Sequence, residues 1–112
     1  MNIDVRSLHG AHVAIVSGRL DLRSAPDLKD QGVAALAAGG GTLVLDMAAV
    51  EFIDSSGLGV LIGLQRESQR MHGRLAIVPP SGSAQQIFAL TRTESFFNLV
   101  ADQEDGLAAI AA

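Results

Sequence analysis

The chain has 112 residues, 48% of them hydrophobic and 18% charged, which suits one domain (1–112) with a core of its own. A formal net charge of −4 and the lack of Trp and Tyr argue against direct nucleic-acid binding, which needs clustered Lys and Arg or aromatic stacking platforms. No cysteine is present for disulfides or thiolate metal sites, Met1 to Arg6 shows no signal-peptide core, and no apolar run nears the roughly 20 residues that span a bilayer, so a soluble cytoplasmic protein without membrane insertion is expected.

Ile3 and Val5 alternate with Asp4 and Arg6, the pattern of a short edge strand with one wet face. Gly10 and Ala11 turn the chain, and His12 to Gly18 reads as a second strand closing a hairpin. Gly18-Arg19-Leu20-Asp21 then leads into a helix, with Ser24 as N-cap and Pro26 in its first turn. Ala25, Leu28, Gly32, Ala35 and Leu36 share one stripe of that helix, and Gly39-Gly40-Gly41 ends it. Thr42 to Met47 is nearly continuous apolar, as in a parallel strand covered on both faces. The next helix carries Leu58, Leu61, Ile62 and Met71 on its apolar side and stops at His72-Gly73. Leu75 to Val78 is a further buried strand, ended by Pro79-Pro80. A third helix follows Ser81-Gly82-Ser83, with Ala84, Ile87, Phe88 and Thr91 on a shared face. Asn98 to Val100 forms a last short strand, and Leu107 and Ile110 mark a helical tail.

This order predicts an α/β fold with a mixed, mostly parallel sheet of four to five strands and about four helices. Parallel strands ending near Gly18, Met47 and Val78 would share one carboxyl edge. That edge would gather Asp21, the Asp54-Ser55 turn and Ser81, at a place where open α/β sheets commonly bind ligands.

Asp54-Ser55-Ser56-Gly57-Leu58-Gly59 is the segment richest in chemistry. It sets two hydroxyls and a carboxylate at a helix start, where unpaired N–H groups and the dipole favour a phosphate. If the helix begins at Gly57, Ser56 is the cap and Ser55 is free for modification. Asp54 reads equally as a turn former or as a partner for a basic group, and Asp21 as a loop residue or a contact. Gly57 and Gly59 either pack closely or let a partner reach the serine, and Leu58 is read as partly buried. A hydrolase using Ser55 as nucleophile would need a base, and the chain has no Gly-x-Ser-x-Gly elbow. His9, His12 and His72 lack metal-ligand spacing, so neither metal nor cofactor is expected.

Val50 to Leu61, following the strand Leu43-Val44-Leu45-Asp46, closely resembles the core of STAS domains, in particular stand-alone bacterial anti-sigma factor antagonists. Gly18-Arg19-Leu20-Asp21 matches the Gly-x-Leu-Asp element of that family, and Gly73-Arg74-Leu75 falls where its fourth strand begins. The resemblance implies a non-enzymatic, phospho-switched binding module. Its serine, here Ser55, would be phosphorylated by an anti-sigma factor of the GHKL serine kinase type and reset by a metal-dependent Ser/Thr phosphatase. Asp21, Asp54, Ser55, Ser56, Gly57 and Leu58 would belong to the partner-binding surface. The alternative within the same family is a STAS subunit of a lipid-transport ATPase or of a stress-signalling scaffold. Thr91-Arg92-Thr93 departs from the small residue and glycine that many relatives carry after the third helix.

Overall fold

A computed structural model describes residues 1–111. Strands β1 (Asn2–Leu8) and β2 (Ala11–Leu20) form the expected antiparallel hairpin. Its turn, His9-Gly10, has positive φ at both residues (51° and 79°), the type I′ geometry whose twist matches that of the flanking strands. Helix α1 (Ala25–Ala38), strand β3 (Leu43–Ile53), helix α2 (Ser55–Arg70) and strand β4 (Leu75–Val78) follow. A 3-10 turn (Gly82–Gln85) runs into the short helix α3 (Gln86–Leu90), and strand β5 (Asn98–Leu99) and helix α4 (Gln103–Ile110) complete the fold. The sheet order is sequential, β1-β2-β3-β4-β5, and every pair except the first is parallel. The α/β architecture expected from the element order is therefore present.

The sheet separates two unequal cores. One face buries Val16, Leu20, Leu45, Met47 and Ile77 against Leu28 and Leu36 of α1, Leu58, Leu61 and Leu64 of α2 and Phe88 of α3. Phe97 meets Phe88 edge-on, with ring centroids 5.7 Å apart, a favoured aromatic geometry. On the other face Ile110 and Leu107 of α4 pack on Val13, Val44 and Ala76.

Several local expectations are corrected. Gly18 and Met47 do not end their strands: β2 and β3 stay paired to Leu20 and Ile53 through register shifts between Ile15 and Ser17 and between Gly18 and Arg19. Both shifts place the extra residue on β3, and Gly18, at φ 92°, pairs with Val50 just before the second one. Ser24 precedes α1 but makes no side-chain cap. Its hydroxyl instead donates to the Arg19 carbonyl (2.7 Å) and accepts from the Asp21 amide (3.0 Å). On α2, Ile62 packs half-buried against the core as expected, Met71 lies just past the helix, and Ser68 joins the buried stripe, its hydroxyl donating to the Gly41 carbonyl at 2.6 Å. Thr91 is exposed just beyond α3, where its hydroxyl donates to the Ile87 carbonyl.

These longer strands reshape the carboxyl edge. Val78, the last residue of β4, pairs with Asp46, whereas β3 continues to Ile53. At roughly 3.3 Å per residue, the end of β3 projects about 20 Å beyond that pairing. The edge is stepped: β2 and β3 deliver Asp21 and Asp54 together, and Ser81 leaves the sheet on the lower step.

Candidate functional site

Two loops meet at the projecting step. Leu20 pairs with Ile53 at the ends of β2 and β3, and the Asp54 amide donates to the Leu20 carbonyl at 3.2 Å. Asp54 then caps α2. Its extended backbone places Oδ1 3.0 Å from the Gly57 amide, and its carbonyl accepts from the Leu58 amide. Ser56 is thus not the cap, because the helix begins at Ser55 rather than Gly57. The carboxylate has two oxygens and a better reach from the N-cap position. The second oxygen, Oδ2, accepts from the Leu22 amide at 3.2 Å and so fastens the β2–α1 loop to the helix start.

Ser55 and Ser56 form the outermost turn of α2; Ser55 is exposed and Ser56 half-buried. The Ser55 hydroxyl therefore faces outward at the positive end of a 16-residue helix, a setting that accommodates added negative charge. Gly57 and Leu58, placed above on the partner surface, are turned inward. Leu58 is a core residue at 6% exposure. A Cβ on Gly57 would lie 2.6 Å from Leu20 Cγ and 2.7 Å from the Leu20 carbonyl oxygen, so glycine is required there for the helix to seat on β2. Gly59 is exposed, with no such neighbour.

Asp21 organises the loop beside Asp54. Its Oδ1 accepts from the amides of Arg23 (3.0 Å) and Ser24 (3.3 Å), and its Oδ2 lies 3.7 Å from Arg19 Nε. Partial desolvation works to raise the carboxyl, but the two amides, Arg19 and the Ser24 hydroxyl outweigh it and hold Asp21 below its ordinary range. The Arg19 guanidinium lies over the Phe52 ring, 4.1 Å from its centroid.

Leu22 was not singled out from the sequence. It stands 72% exposed between Asp21 and Arg23, and its backbone is tied to Asp54. The signal was an apolar residue in a polar loop with no strand or helix period to bury it. Next to Ser56, a groove of about 390 Å³ runs between the helices, bordered by Lys29 and Val33 of α1 and by Gly59, Val60 and Gly63 of α2.

None of the three histidines stands by the serine. His9 and His12 lie at the opposite, amino end of the parallel strands, beside a cavity of about 520 Å³ that Gly39 and Ile110 also line. His72 follows the far end of α2. Among the described residues no group of three His, Asp or Glu could hold a metal ion, and no helix is long and apolar enough to cross a membrane.

A family model described as "Mlab, STAS domain" matches residues 4–101. An anti-sigma-B factor antagonist of Bacillus subtilis is 28% identical over 107 residues, covering 96% of this chain and 97% of the relative. The crystal structure of an anti-sigma factor antagonist from Mycobacterium paratuberculosis superposes with a TM-score of 0.86 at 31% identity, covering 97% of this chain and 92% of that one. The fold is also that of the Bacillus cell fate determinant SpoIIAA in its phosphorylated form, with a TM-score of 0.68 at 20% identity, covering 92% of this chain and 95% of that one.

Proposed function

The chain belongs to the STAS domain family, and from that premise we propose that it is an anti-sigma factor antagonist switched by phosphorylation of Ser55. The observation that carries this reading is the division of labour at the α2 N-terminus. Asp54 takes the structural work of capping, and the adjacent Ser55 hydroxyl is exposed and outside that cap. Similarity to antagonists that cover nearly the whole chain supports the partner class, an anti-sigma factor. A phosphorylated form of a protein with this fold supports the modification.

The docking surface comprises Asp21, Leu22, Asp54, Ser55 and Ser56, with Gly57 and Leu58 supporting it from beneath. A partner of the GHKL serine kinase type would transfer the γ-phosphoryl group of ATP. The Ser55 Oγ–phosphorus bond forms, the bond to the ADP oxygen breaks, and the hydroxyl proton passes to a base on the kinase. No cofactor is needed on this chain. Phosphorylation adds roughly −1.5 to −2 charges beside Asp54, and desolvating that charge against the partner opposes docking. Hydrolysis by a metal-dependent Ser/Thr phosphatase restores the binding form.

Calorimetry with the isolated anti-sigma factor tests the switch. Ser55→Ala should bind like the unmodified protein. Ser55→Glu should bind roughly tenfold or more weakly, the equivalent of about 1.4 kcal/mol. Mass spectrometry after incubation with kinase and ATP should place the phosphate on Ser55. Equal affinities for the two variants, or phosphate confined to Ser56, would overturn the reading and favour a STAS subunit in which the serine is not a switch.

A further inference from the structure

We propose that β1 is a self-association edge, on which a second copy of this chain pairs its own β1 antiparallel about Val5. Among the described residues, β1 is a terminal strand of the sheet, hydrogen-bonded on one side only, to β2. It runs seven residues without a register shift and contains neither Pro nor Lys, two of the usual devices that protect such an edge.

The direction of its free backbone groups follows from the hairpin. Leu8 and Ala11 flank a two-residue turn, so they exchange both bonds, and the pairing alternates from there. Arg6, Asp4 and Asn2 therefore direct their N–H and C=O groups at β2. Ser7, Val5 and Ile3 direct theirs outward.

A two-fold axis through Val5 matches these outward groups. Val5 pairs with Val5 of the second copy, and Ile3 pairs with Ser7 on either side, so all three residues exchange bonds. The same register sets Asp4 of each copy opposite Arg6 of the other, at the closer non-hydrogen-bonded positions where cross-strand charge pairs act most strongly. Both side chains are more than half exposed and already approach each other within one strand, Arg6 Nε to Asp4 Oδ2 at 2.8 Å. The charges of β1 are thus complementary to those of a second copy. Val5, 42% exposed, gains a hydrophobic neighbour across the axis.

The result is a continuous ten-stranded sheet with the α1–α3 helices of both copies on one side. Because the paired strands run in opposite directions, the two Ser55 edges point to opposite ends, and each stays open to its own partner. The inference does not depend on the switch at Ser55.

Sedimentation velocity over a concentration series tests it, with circular dichroism melts to confirm that each variant is folded. The unmodified protein should show a reversible monomer–dimer equilibrium, with concentration-dependent hydrogen-exchange protection at the amides of Ile3, Val5 and Ser7. Arg6→Asp sets like charges opposite each other twice and should weaken association roughly tenfold or more. Combining Asp4→Arg with Arg6→Asp recreates the opposite pairs with signs exchanged and should restore it. A monomer at every concentration, a dimer indifferent to Arg6→Asp, or a double variant no better than the single one would overturn the proposal.

Discussion

One carboxylate, Asp54, holds both the α2 N-terminus and the β2–α1 loop, and its two oxygens can be separated by mutation. Asn is as good an N-cap as Asp, so Asp54→Asn keeps the bond to Gly57, but its amide nitrogen cannot accept from the Leu22 amide. Asp54→Ala loses both. Denaturant melts should show a loss of about 1–2 kcal/mol for Ala and a smaller one for Asn. If Asp54 were only a contact, anti-sigma binding would fall with no change in stability. Asp21 makes a different prediction. Its carboxyl is held below its ordinary value of 3.8, so it stabilises the folded state above that pH, and the contribution disappears as pH falls through the lower, folded value. An NMR titration should place its midpoint below 3.8, and Asp21→Asn should flatten the acid limb of the stability profile. A midpoint at or above 3.8 would show that the Arg23 and Ser24 amides do not hold the charge.

Helix exits show what local sequence rules miss at the scale of elements. After α3, Arg92 sits at φ 55°, with its amide donating to the Ala89 carbonyl and the Thr93 amide to the Phe88 carbonyl. This is the helix-ending geometry that glycine adopts freely, whereas a side chain in it costs roughly 1–2 kcal/mol. The sequence marked Thr91-Arg92-Thr93 as unusual for its family without showing what the exception costs. Arg92→Gly should stabilise the protein by about 0.5–1 kcal/mol and raise the melting temperature by a few degrees. A neutral or lower melting temperature would mean that the Arg side chain compensates elsewhere.

The whole molecule is built around an asymmetric sheet. Three helices seal one face with a continuous cluster, and α4, eight residues long, covers the other with Leu107 and Ile110. Fewer buried contacts mean a lower cost of local opening. Native-state hydrogen exchange should therefore find α4 amides opening at lower free energy than those of β3 and α2. Equal protection in all three would show that α4 unfolds only with the rest.

Much of this was legible from residue order. The buried stripe of α1, the limits of β4 and the hairpin all follow from side-chain period and from Gly and Pro signals, which act within a few residues of chain. Asp54-Ser55 was readable as a helix start for the same reason. Other features needed partners distant in sequence. β2 and β3 outlast their turn signals because each continues to pair with the other. Asp54 displaced Ser56 as the cap while also binding Leu22, 32 residues away. Gly57 faces inward because it packs on Leu20, and Leu58 because it belongs to the core. Local propensity set which elements form and roughly where. Strand pairing and packing across the sheet decided which side chains of the serine loop face out.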